Sequence, residues 1–191
     1  RVCEYLHIPA QSGSNAVLKR MKRQYTVEQY VELIDKARQI VPGISLAGDF
    51  IVGFTGETEE DHAATLALIE RVRYKNIFMF KYSPRPGTPA FEMEDDVSRE
   101  EKTRRFLALE KVQKLHQVNS FQATLGKPLK VLVEGRSSRS EGTFRGHSTC
   151  HRLVNFTAPD ECLGKIVDVE ITECKTNTLF GKMVEPGVER S

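Results

Sequence analysis

The sequence predicts an α/β domain followed by a small antiparallel β-barrel. Three observations predict it. Strand-like and helix-like segments alternate over the first two thirds of the chain; short, glycine-punctuated strands take over after Gly126; and an apolar run from Asp49 breaks into Gly53 and Gly56 before opening a helix at Thr58. With 191 residues, 39% hydrophobic and 28% charged, the composition is that of an ordinary globular protein able to bury a sizeable core. A net charge of +2 argues against non-specific DNA binding as a way of life, but leaves a local basic face open. No apolar run approaches the roughly 18 residues of a membrane span, and no signal peptide opens the chain. The expectation is therefore a cytoplasmic protein with no membrane partner. The chain opens on Arg1 inside a strand-like segment, so it reads as the back part of a longer protein.

Each element has a local cause. Tyr5 to Ile8 is a short strand ending in Pro9-Ala-Gln-Ser-Gly-Ser14. Thr26 and Gln29 have the spacing of a capping box and start a helix whose apolar residues Tyr30, Leu33, Ile34, Ala37 and Ile40 follow the helical period. Pro42-Gly43 stops it. Ile44 to Val52 is the second strand, and Glu59 to about Lys75 the second helix, capped by Thr58 and Asp61, with Ala63, Leu66, Ile69 and Val72 inward. Asn76 to Tyr82 is a third strand, ending in Ser83-Pro-Arg-Pro-Gly-Thr-Pro89, and a third helix runs from Ser98 towards Gly126 with Phe106, Leu109 and Val112 inward. Such βα units in series make a parallel sheet or a barrel segment, with working loops at the strand C-termini. The barrel-like remainder holds strands at Lys130–Glu134, Arg152–Phe156 and Ile166–Thr172.

The Gly53–Gly56 turn is the leading candidate for ligand binding, because open amides and a helix start there favour an anionic or polar group. The four cysteines, Cys3, Cys150, Cys162 and Cys174, form no C-x-x-x-C-x-x-C cluster. They are expected to be reduced thiols and not metal ligands.

Three blocks together resemble the radical S-adenosylmethionine methylthiotransferases. They are His7–Ser14 with Leu18–Thr26, Asp49–Thr58, and Tyr82–Ala90, while the C-terminal part is similar to a TRAM domain, an RNA-binding barrel. Val131–Gly135, Arg152–Phe156 and Asn177–Gly181 look closest to the tRNA-2-methylthio-N6-dimethylallyladenosine synthases. The resemblance implies the C-terminal part of a (β/α) radical-SAM partial TIM barrel at 1–121, an OB-like TRAM barrel at 122–185 and a tail at 186–191. It further implies methylthiolation of C2 of a prenylated adenosine, with S-adenosylmethionine and two [4Fe–4S] clusters whose ligands lie outside these residues. The implied partner is the tRNA anticodon stem-loop and the implied state a monomer. These residues alone are then expected to be inactive. A sibling enzyme acting on N6-threonylcarbamoyladenosine, or a non-catalytic RNA-binding adaptor, are the alternatives.

The implied site residues each have an alternative role. Gln11 and Ser12 meet ribose or methionine, or cap their turn. Arg23 pairs with the methionyl carboxylate, or is one solvated cation among Lys19, Arg20 and Lys22. Asp49 bonds cofactor or an internal network. Gly53 permits close backbone approach or makes the turn. Tyr82 and Ser83 offer main chain to adenine, or simply end the strand; Arg85 faces tRNA phosphate or solvent. In the barrel, Arg136, Arg139, Arg145, Arg152, Lys165, Lys175 and Lys182 are candidate phosphate contacts, interleaved with Phe144, Phe156 and Phe180. Phe156 is expected in the core.

Overall fold

The computed structural model describes residues 3–137, 142–175 and 178–184. Arg139, Asn177 and the tail at 186–191 lie outside them. The chain divides into two compact units, Leu6–Gln117 and Val118–Ser191 with Arg1–Tyr5.

In the first unit, β1 (Tyr5–His7), β2 (Ser45–Val52) and β3 (Asn76–Lys81) form a sheet in that order. β2 and β3 are parallel, with Asp49 opposite Phe78 and Ile51 opposite Phe80. Helices α2 (Val27–Ile40) and α3 (Glu59–Val72) both begin with complete capping boxes, Thr26 with Gln29 and Thr58 with Asp61. These two helices and α4 (Arg99–Gln122) cover one face of the sheet: Tyr30 and Ile34, Leu68, Ile69 and Val72, and Leu109 pack against Leu46, Phe50, Val52 and Ile77.

Two local features depart from expectation. A short helix, α1 (Asn15–Arg20), capped by the Ser14 hydroxyl on Val17 N, occupies what reads as loop. The inward face of α3 is His62, Thr65, Leu68, Ile69 and Val72, and Ala63 is exposed. The rotation is fixed by Gly13, whose amide donates to Thr65 Oγ1 at 2.9 Å and whose Cα lies against the 64–65 backbone, leaving no room for a Cβ.

The second unit is a closed barrel in the order β4-β5-β6-β8-β7. Its strands are β4 (Pro128–Arg136), β5 (Thr143–Ser148), β6 (Leu153–Thr157), β7 (Ile166–Lys175) and β8 (Thr178–Met183). β5 and β8 are additional to the strands expected. All pairings are antiparallel except β6 with β8, which is parallel. Val131, Val133, Phe144, Val154, Phe156, Val169, Ile171 and Leu179 fill the interior. Gly146 and Gly181 face backbone carbonyls of the neighbouring strands, Leu132 and Glu170, so closely that a Cβ at either would collide.

Candidate functional site

The three strand ends of the first unit lie side by side. Gln11 N donates to Asp49 O at 2.8 Å, Ile51 N to Gln11 O at 2.9 Å, and Tyr82 N to Val52 O at 2.9 Å. Gln11 is held at φ 67, the left-handed region that non-glycine residues rarely adopt. Ser83 and Arg85 follow, both exposed.

The sheet face away from the helices carries alternate residues of each strand. His7 Nε2 pairs with Asp49 Oδ1 at 2.8 Å, and the His7 ring stacks on Phe78 at 5.4 Å. Phe78 is 46% and Phe80 53% exposed, with Ile51 half-buried between them and Asp49. An apolar floor beside a histidine–carboxylate pair, with strand-end main chain at its rim, suits a nucleoside: ring faces below, hydroxyl partners beside.

The glycine turn differs from expectation. Its donors are engaged by carboxylates: Gly53 N by Glu57 Oε2 at 2.5 Å and Gly56 N by Asp96 Oδ1 at 2.7 Å. The Gly56 and Glu57 carbonyls accept from Arg20 and Arg105, both at 2.8 Å. Gly53 and Gly56, at φ 69 and 71, are therefore required by the turn, and Gly53 also by the stem of Lys102, which leaves no space for a Cβ. The buried hydroxyl of Thr55 and Oε1 of Glu57 remain without a hydrogen-bond partner among the described residues.

Glu57 and Arg105 form the most buried ion pair of this unit, at 2.8 Å with side chains 0% and 6% exposed. Burial pushes the Glu57 carboxyl above its ordinary range, and Arg105 and the Gly53 amide oppose that shift. Lys102, also buried, donates to both oxygens of Asp95 and sits 5.3 Å over the Tyr82 ring. Tyr82 itself packs on Phe54 at 4.7 Å and donates to Ala90 O at 3.0 Å. Its ring thus braces the loop, and only its main chain faces the strand end. Ser12 is likewise internal, its hydroxyl near Thr65 Oγ1 and accepting from Ser14 N at 3.1 Å. Arg20, grouped by sequence with solvated cations, instead ties the turn to α1 and pairs with Asp61 at 3.2 Å. Arg23 is exposed and lines a hollow with Asn15, Lys19, Tyr25, Thr26 and Gln29, where Tyr25 Oη donates to Ala10 O at 3.0 Å.

His7, Phe78, Phe80, Glu57, Lys102 and Arg105 were not singled out by sequence. Lys102 and Arg105 were legible in part: they share a helical stripe with Phe106, Leu109 and Val112, where unpaired charge is costly.

In the barrel the candidate cations separate. Arg136 pairs with Asp160 and lies 5.5 Å over buried Phe144. Arg152 donates to Ser120 Oγ at 2.5 Å and lies 5.9 Å over Phe121. Lys175 is 3.5 Å from Glu173 and 4.7 Å over Phe180. Arg145 and Lys182 are exposed with no side-chain partner among the described residues. Phe144 and Phe156 are both 2% exposed and belong to the core, which leaves half-buried Phe180 as the accessible ring of the three.

Residues 2–69 match the family described as the Radical SAM superfamily, and residues 122–184 the TRAM domain. Curated relatives named tRNA-2-methylthio-N(6)-dimethylallyladenosine synthase are 45% identical over 184 residues in Magnetococcus marinus, covering 96% of this chain and 42% of the relative. Those of Oceanobacillus iheyensis and Clostridioides difficile are also 45% identical, over 97% and 96% of this chain and 36% and 39% of theirs. The chain joins a Radical SAM segment to a TRAM domain and is similar to these synthases. It spans about two fifths of the length of the curated relatives it matches. The donors, acceptors and ring faces of the open sheet face fit a nucleoside. Among the described residues no three histidine, cysteine or acidic side chains come together. No described helix is long and apolar enough to cross a membrane.

Proposed function

We propose that this chain serves a tRNA methylthiotransferase acting at C2 of N6-dimethylallyladenosine beside the anticodon, contributing later strands of the cofactor-binding barrel and the RNA-binding module. The observation that carries this reading is the side-by-side bonding of Gln11, Asp49–Val52 and Tyr82 at one sheet end, above an open face of His7, Asp49, Phe78 and Phe80. The names carried by the relatives support the substrate.

When bound, S-adenosylmethionine supplies the radical that activates C2 and the transferred methyl group, with two [4Fe–4S] clusters held by residues outside this chain. The chain's own residues bind and orient. Asp49, fixed by His7, accepts hydrogen bonds from ribose hydroxyls, and Phe78, Ile51 and Phe80 exclude water beneath them. The side-chain amide of Gln11, aimed by its left-handed backbone, meets the ribose or methionyl part. Arg23 pairs with the methionyl carboxylate. The main chain at Tyr82 and Ser83 edges the adenine, Gly53 makes the turn that ends β2 against Lys102, and Ser12 keeps the Gly13–Ser14 turn in place. Arg85, with Arg136, Arg145, Arg152, Lys175 and Lys182 of the barrel, approaches phosphates of the anticodon stem-loop. On this reading the protein works as a cytoplasmic monomer, and these residues alone do not catalyse the reaction.

Nucleoside mass spectrometry of tRNA from a strain lacking the gene tests the proposal. Loss of the methylthio group from dimethylallyladenosine is expected. Loss from threonylcarbamoyladenosine instead would identify the sibling activity, and an unchanged nucleoside profile would refute the enzymatic reading.

A further inference from the structure

The barrel's outer surface carries most of its charges in pairs. β4 and β7 present Glu134, Asp168 and Glu170 outward; Lys130 is paired with Asp168 at 3.3 Å and Glu134 bonds His147 Nδ1 at 2.8 Å. The sector formed by β5, β6 and β8 is different. Arg145 lies opposite Asn155, and Asn155 opposite Phe180, so the three side chains form one row across adjacent strands. Inward neighbours Phe144, Phe156 and Leu179 are buried, which fixes the row outward. Lys182, between Thr157 of β6 and Glu170 of β7, is next to it, Phe180 has Glu173 on its β7 side, and the Lys175 ammonium rests on the Phe180 face.

The row holds unengaged chemistry. Neither Arg145, Asn155 nor Lys182 has a side-chain hydrogen bond or ion pair among the described residues. By contrast, Arg136 and Arg152 are tied down by Asp160 and Ser120. A side-chain amide offers a donor and an acceptor in one plane, the pattern displayed by a base edge. A ring face next to it supplies stacking, and cations on either side supply phosphate contacts. Paired A-form RNA keeps its Watson–Crick edges engaged, whereas a single-stranded loop exposes them.

We propose that Asn155 and Phe180 receive one unstacked nucleotide of a single-stranded RNA loop. The base stacks on Phe180 and pairs its edge with the Asn155 amide, while Arg145 and Lys182 hold the flanking phosphates. Lys175 occupies the Phe180 face until the base displaces it, and its exposed pairing with Glu173 costs little to break. This rests on the RNA-binding reading given above, and deepens it from a set of cations to one oriented face.

The test is fluorescence-anisotropy titration of the 191-residue chain with a hairpin RNA bearing an adenosine in its loop, at several salt concentrations, and with an abasic site replacing that adenosine. Asn155→Ala and Phe180→Leu are each expected to weaken binding of the intact loop about tenfold, and to bind the abasic loop as the unaltered chain does. Phe180→Tyr keeps the ring and should retain affinity. Lys182→Ala should weaken both RNAs alike and lower the salt slope by about one. Circular dichroism melts of each variant report folding, and Asn155→Ala alters only an outward side chain. Undiminished affinity in either Asn155→Ala or Phe180→Leu overturns the proposal, as does a larger loss from Lys130→Ala on β4. If the unaltered chain shows no salt-sensitive binding to either RNA, the RNA reading itself fails.

Discussion

The carboxylate of Glu57 joins the amide of Gly53, 2.5 Å away, to the guanidinium of Arg105, 2.8 Å away. A turn that by its sequence offers open amides is instead closed by a side chain four residues on, and that side chain is held from α4.

Arg105→Met therefore leaves a buried carboxylate without its cation, which should cost about 3–5 kcal/mol of unfolding free energy. The pH dependence has a definite sign. A Glu57 carboxyl raised above its ordinary 4.5 holds its proton more tightly in the folded chain, so its contribution is most favourable below that value and declines as pH rises towards the folded pKa. Removing Arg105 raises that pKa further and carries the decline to higher pH. Urea unfolding of both proteins across the acidic range checks it, and parallel curves would contradict it.

His62 gives the opposite slope. It is 1% exposed, neither ring nitrogen has a partner among the described residues, and burial, then Arg105, holds its pKa below the ordinary 6.5. The folded chain thus keeps it neutral while the unfolded chain protonates, so stability is full above 6.5 and falls as the solution is acidified through that value. His62→Leu should remove up to about 1.4 kcal/mol per pH unit of that dependence, read from urea midpoints in the window just below the unfolded pKa.

Barrel closure depends on two hydrogens. Gly146→Ala and Gly181→Ala push a methyl into the Leu132 and Glu170 carbonyls and should each destabilise the barrel by about 1–3 kcal/mol or more. Gly135→Ala, where no atom lies within 4 Å of the added carbon, should melt close to the parent in the same thermal scans.

Elements with local causes were readable without coordinates. Both capping boxes announced α2 and α3, and the apolar run of β2 announced a buried strand. β5 was not readable, because its inward positions are Phe144, Gly146 and Ser148, two of them too small to mark a core strand. Small side chains are needed there by the approach of β4, a demand that arises only between strands. α1 is too short to show a period, and the rotation of α3 was set by Gly13 from another segment. At the site, the strand ends were legible as glycine- and proline-rich exits. The histidine–carboxylate pair and its aromatic floor were not, since His7, Asp49 and Phe78 meet only through register.

The most direct measurement is the equilibrium affinity of S-adenosylmethionine for the full-length, cluster-loaded protein carrying Asp49→Ala, compared with Leu33→Ala on the exposed side of α2. Loss of a charged hydrogen-bond acceptor from the cradle predicts about tenfold weaker binding for Asp49→Ala, with no change for Leu33→Ala. Equal affinity in the two variants would contradict the assignment of the open sheet face to the cofactor.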